Sequence, residues 1–137
     1  MKMNYTFAGT ALIILLAAAV GGGLDYLGSS GLYHSSSIPT VPSSEALVVM
    51  VSGAYYNESL GFSPLNVTVM LGVNSTVVFF NNDAAVHTAT ANDGSWNTGD
   101  VLPGQAAMIK FNTTGTFAYH CIYHPYMVGT ITVVAGS

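Results

Sequence analysis

The chain has 137 residues, half of them apolar, with two lysines, no arginine and six acidic residues. That length suits one domain, and so little positive charge excludes a nucleic-acid partner, since nothing could neutralise a phosphate backbone. A single cysteine excludes an internal disulfide, a thiol–disulfide pair, a four-cysteine zinc site and a two-cysteine dicopper centre.

Met3 to Leu24 carries no charged side chain; Lys2 precedes it and Asp25 follows. Its centre, Ala11 to Val20, is apolar without a polar face, which argues against a globular core helix. Two readings of residues 1–27 stand. A secretory signal peptide would use Ala17-Ala18-Ala19 as its small-residue cleavage site. An uncleaved membrane anchor needs about 20 apolar residues, which this run just reaches, and the length favours it. Under either, the remainder lies outside the cytoplasm, with Lys2 inside. Residues 28–44 have linker composition: glycine and serine, then Pro39 and Pro42. His34, among serines, reads as a solvated linker residue.

Residues 45–137 change character to short apolar or alternating runs broken by Gly, Asn, Asp and Pro. That is the pattern of an all-β sandwich or barrel. Strands are expected at Ala46–Ser52, Leu65–Leu71, Thr76–Asn81, His87–Ala91, Gln105–Phe111, Gly115–Cys121 and Gly129–Val134. Val67, Val69 and Leu71, then Ala107, Ile109 and Phe111, then Ile131 and Val133 occupy alternate positions, placing them on one face. Asn57–Pro64 is less regular and reads as a loop or short helical turn. Sequons at Asn57, Asn66, Asn74 and Asn112 are glycan acceptors if the host has the machinery, although this composition also generates sequons by chance.

The chemistry sits at two places. His87 follows Asn81-Asn82-Asp83, just past a strand-like run. The last loop reads Cys121-Ile122-Tyr123-His124-Pro125-Tyr126-Met127. A thiolate, two imidazoles and a thioether form the donor set of a blue-copper electron-transfer site, with Met127 as the weak axial donor. Singly, each residue has an ordinary structural reading: a buried cysteine, a core methionine, a hydrogen-bonded turn histidine. Their joint spacing argues otherwise. His120 neighbours Cys121 on a strand and points to the opposite face, a structural position. Asn82 and Asp83 read as turn residues or supports of the ligands rather than ligands.

The region from about residue 60 to 135 resembles the cupredoxin family of type 1 copper proteins. Pro64 to Val69, Gly72 and Thr76 to Asp83 follow the family's lead to its first histidine. Trp96-Asn97-Thr98-Gly99, Leu102-Pro103-Gly104-Gln105 and Gly115 to Tyr119 continue it, and Gly129 to Val133 is similar to its closing strand. The compact loop with a proline after the histidine is amicyanin-like. The resemblance implies a Greek-key β-sandwich and one copper ion held by His87, Cys121, His124 and Met127. It also implies a Thr88 N–H donated to the Cys121 sulfur. The function it implies is outer-sphere electron transfer between redox protein partners, docking near His124, without substrate turnover. Ile122, Tyr123, Pro125 and Tyr126 would surround that port. Copper storage or delivery is the alternative. An adhesion module would not need the full ligand set, and a nitrite reductase fragment would need a second copper site when only His34 and His120 remain. So few ionisable groups further suggest a pH-tolerant fold, suited to an acidic external habitat.

Overall fold

The computed structural model describes residues 37–137. The expected N-terminal signal or anchor, and the linker up to residue 36 with His34, lie outside the described residues. Among the described residues no helix is long and apolar enough to cross a membrane.

Alternation decides the layers. β1 (Glu45–Met50), β2 (Phe62–Ser63), β3 (Asn66–Met70), β4 (Thr76–Asn81), β5 (Thr90–Ala91), β6 (Ala106–Lys110), β7 (Gly115–His120) and β8 (Val128–Val134) form two four-stranded sheets. One runs β2-β1-β4-β6 and the other β3-β8-β7-β5. From β2 to β7 each successive strand changes sheet, giving the Greek-key β-sandwich that the sequence implied. Two parallel pairings lock it: β1 with β4, and β3 with β8, where Val67 faces Ile131 and Val69 faces Val133 in register. Inward residues of β3 and β8 alternate with exposed or half-buried ones, as period two requires. β4 instead reads as a continuous apolar run because it is central and buried on both faces.

The core is aromatic. Tyr119 on β7 lies with its ring centroid 4.8 Å from Phe62 and 5.5 Å from both Phe79 and Trp96. Trp96 leads on to Phe111, and Phe111 to Phe117. The Leu102–Gln105 turn follows its sequence: Pro103 fixes the second position, Gly104 takes φ +76° at the third, and the Gln105 N–H closes on the Leu102 carbonyl at 2.9 Å. Residues from Val41 onward form one compact unit.

Two expectations change. The His87–Ala91 strand is mostly not a strand. His87 makes an isolated bridge to Val101, and regular pairing begins only at Thr90. The Asn57–Pro64 stretch is the expected loop, with the Leu60 N–H closing a turn on the Asn57 carbonyl at 2.9 Å, but it also holds the short strand β2, which pairs with β1 through Val49 and Met50.

Candidate metal centre

The turn after β4 is built by Asn81. Its Oδ1 accepts the Asp83 N–H at 2.9 Å, and its Nδ2 donates to the Ala85 and Val101 carbonyls, each at 2.8 Å. The chain then reaches His87, whose backbone exchanges two hydrogen bonds with Val101. This presents the His87 ring, fully buried, at one end of the sandwich. Period two along β7 carries Tyr119 and Cys121 inward together, and both are fully buried. The ligand loop then closes on itself. The Cys121 N–H donates to the Met127 carbonyl at 3.0 Å and the Met127 N–H to the His124 carbonyl at 2.9 Å. Met127 is fully buried.

The donors converge. Cys121 Sγ lies 3.6 Å from His87 Nδ1 and 3.8 Å from His124 Nδ1, and the two Nδ1 atoms are 3.1 Å apart. Three donors around one ion at bond lengths of about 2.0–2.3 Å would be separated by roughly 3–4 Å. The triangle therefore fits a single small metal ion. Among the described residues it is the one cluster of three His, Cys, Asp or Glu donors close enough to hold one.

Neighbouring groups tune the donors. The Thr88 N–H donates to Cys121 Sγ at 3.3 Å, as the family resemblance implied. Thr88 Oγ1 accepts the Ile122 N–H at 2.9 Å, tying the ligand loop to the His87 segment. His87 Nε2–H donates to Asp83 Oδ2 at 2.7 Å in a buried contact, which leaves the Nδ1 lone pair aimed at the triangle. Burial alone would raise the Cys121 thiol pKa, but His87, the Thr88 N–H and His124 outweigh it and bring it down to about 6. Burial alone would lower that of the His87 imidazole, but Cys121 and Asp83 raise it. Asp83 is likewise opposed by burial. Yet His87 and the Gly53, Ala84 and Tyr55 amides hold its carboxyl below the ordinary value. The site is thus a preorganised soft anion flanked by imidazoles, suited to a cation that takes thiolate, imidazole and thioether together.

Sequence reasoning brought forward His87, Cys121 and His124, which the fold gathers, and Met127, which it buries in the same loop. His120 points away and bonds Asn92 Oδ1 through Nδ1 at 2.6 Å. Missed were Asn81 as organiser of the turn, the amides of Gly53 and Tyr55 on Asp83, and the hydroxyl contacts of Tyr123 and Tyr126, which were expected only to surround the His124 port. Tyr123 donates to Asp100 at 2.7 Å and Tyr126 to the Ala54 carbonyl at 2.6 Å. The i, i+4 spacing of Asp83 and His87 was the one legible signal among these.

The profile of the cupredoxin-like domain matches residues 34–133. Among solved structures, the chain is similar to a purple cupredoxin from Nitrosopumilus maritimus. That match has 27% identity, 65% of this chain and 99% of that one, and TM-score 0.59. An amicyanin variant in the Cu(I) form shares the fold at 22% identity, covering 69% of this chain and 86% of that one, with TM-score 0.55. A copper-containing nitrite reductase from Thermus scotoductus also shares it, at 24% identity and TM-score 0.56. The match covers 81% of this chain but 26% of that enzyme. No curated protein sequence matches. His87, Cys121, His124 and Met127 are arranged as a type 1 copper site, and the chain belongs to the cupredoxin-like domain family.

Proposed function

We propose that this protein is a blue-copper electron carrier working outside the cytoplasm, exchanging electrons with protein partners that dock around His124. The observation that carries this reading is the donor triangle, with Cys121 and His87 fully buried beside a half-buried His124. Copper held there supplies reversible one-electron cycling between Cu(I) and Cu(II). The chain's own residues do the rest. Cys121, Met127 and the aromatic core behind them exclude water. The Thr88 N–H stabilises charge on the sulfur, and Asp83 fixes the His87 tautomer. His124 is the donor closest to solvent, so its ring edge is the port. Beside it Ile122 and Tyr123 stand 49% and 50% exposed, an aliphatic and aromatic collar for a partner with Asp100 bonded to the Tyr123 hydroxyl at its edge.

Storage or delivery of copper calls for exchangeable donors, and three of these four are fully buried. Catalysis of the nitrite reductase kind calls for a further histidine site, and among the described residues the spare histidine, His120, is engaged with Asn92. The N-terminal apolar segment, as export signal or tether, is the basis for the extracytoplasmic assignment.

The test is a visible spectrum of the full-length chain loaded with Cu(II), beside Cys121→Ser. An intense thiolate-to-copper band, absent from the variant and bleached reversibly by ascorbate, supports the carrier. A colourless, redox-silent wild type sinks it.

A further inference from the structure

We propose that the loop between β1 and β2, residues 51–61, is a brace that positions the two imidazoles relative to each other, with Asp83 and Tyr126 as the positioning residues on its two sides. What the imidazoles do rests on the copper reading above; the brace is a property of the metal-free chain.

Asp83 grips one side of the loop. Its Oδ1 accepts the Gly53 N–H at 2.8 Å and its Oδ2 accepts the Tyr55 N–H at 2.9 Å. The same Oδ2 accepts His87 Nε2–H at 2.7 Å. Between those two amides the fully buried Ala54 turns its carbonyl the other way, to the Tyr126 hydroxyl at 2.6 Å. The Tyr126 ring packs edge-on to His124, with centroids 5.9 Å apart. Three consecutive residues thus connect the outer nitrogen of one imidazole to the ring that flanks the other. Among the described residues His124 has no hydrogen-bonded side-chain partner beyond the donor triangle. The Tyr126 ring packs on it from one side, and the His87 ring, with centroids 4.7 Å apart, from another.

The loop is stiff enough to transmit this. It closes through Val51 N–H to the Gly61 carbonyl at 2.9 Å, and is cross-linked by Ala54 N–H to Val51 at 3.0 Å and Asn57 N–H to Gly53 at 3.1 Å. Gly53 sits at φ +88°, and a Cβ there would meet the Tyr56 hydroxyl at 2.9 Å, so the turn requires glycine. At the far end the Gly61 backbone lies on Met127: a Cβ at Gly61 would stand 3.5 Å from Met127 Cα and 3.7 Å from its Cγ. Donors gain their geometry from supports whose own positions are fixed, and this loop supplies such supports to both imidazoles and to the methionine.

Two measurements test it, both on the full-length chain. In the metal-free form, hydrogen exchange is followed by NMR at the Gly53 and Tyr55 amides and at His87 Nε2–H, in wild type and Tyr126→Phe. The lost hydroxyl touches none of these groups, yet the brace requires their exchange to rise about fivefold, the effect of one ordinary hydrogen bond on local opening. Unchanged exchange at both amides overturns it. In the Cu(II) form, Tyr126→Phe, Asp83→Asn and the double variant are compared by the ratio of their thiolate-to-copper bands and by copper hyperfine splitting. Residues acting through one segment give a double variant that departs from the sum of the singles, and additive changes overturn the proposal. If Asp83→Asn fails to fold, the exchange result with Tyr126→Phe decides alone. A wild type that takes copper without a blue band removes the electron-carrier reading, while the exchange measurement still decides the brace.

Discussion

The Nδ1 atoms of His87 and His124 face each other 3.1 Å apart across the mouth of a buried thiol, although the residues come from different sheet connections. Two ring nitrogens are held this close because the surrounding fold holds them, through the Thr88–Ile122 tie and the Asp83 contact. Those contacts run through the protein alone. The metal-free domain is expected to unfold cooperatively, and copper to raise its midpoint by the amount that binding to the native state alone dictates. Calorimetry of both forms checks this; a metal-free chain without a transition contradicts it.

The depressed thiol pKa sets a pH dependence. The folded value of Cys121, about 6, lies below the ordinary value of 9. Its contribution to stability is present above the unfolded pKa and is lost as pH falls through about 6. His87 has the opposite sign: its raised pKa contributes below the unfolded value and fades as pH rises through the folded one. The two titrate as a pair, and Cys121 is among the groups that raise His87, so replacing the thiol alters both. The thiol is therefore read directly: in metal-free protein the ultraviolet absorbance of the thiolate is expected to rise through about pH 6. A midpoint near the ordinary thiol value contradicts the depression.

Asp83 governs the acid limb. Its lowered pKa means its contribution is intact above the unfolded carboxylate value, about 3.9, and is lost as pH falls through the lower folded value. The stability advantage of wild type over Asp83→Asn is therefore expected to persist down to about pH 4 and to shrink below it. Circular dichroism melts across that range read the difference.

Thr88→Val keeps shape and the N–H to sulfur, but removes the hydroxyl that accepts from Ile122. A part-buried amide is left unpaired, at a cost of about 1–3 kcal/mol. Denaturant titration is expected to show that loss while a visible thiolate-to-copper band is retained, since the Thr88 N–H to sulfur survives.

Gly129 faces the Tyr119 ring so closely that a Cβ would overlap its hydroxyl and ζ-carbon. Gly129→Ala is expected to cost about 1–3 kcal/mol by overpacking. Among the described residues the buried Tyr119 hydroxyl has no hydrogen-bond partner, so adding Tyr119→Phe removes one overlapping atom without breaking a bond and is expected to recover part of the loss. Thermal melts of the two variants decide.

The sandwich was legible wherever a strand has one wet face: Val67 and Val69, Ile131 and Val133, and Ala107 and Ile109 alternate as they pack. Legibility failed where a backbone is shaped by side chains distant in sequence. His87 to Thr88 reads as strand by composition, but its partners are Val101 and Cys121 rather than a neighbouring ladder. β2 is two residues long and leaves no periodicity to detect. At the site the donors were readable because metal chemistry restricts residue type and spacing. The Asp83 contacts at Gly53 and Tyr55 were not, because amides carry no residue identity.

The contact from the Cys121 N–H to the Met127 carbonyl continues the β7–β8 pairing by one more rung. The copper-binding loop is thus the turn of a hairpin, and its span is a unit of strand register as much as of coordination. One residue inserted between Cys121 and Met127 would leave the final rung unmade or slip β8 against β7, turning Ile131 and Val133 out of the core. Side chains within the span are free to vary in electronic character, but its length is bound to the sheet.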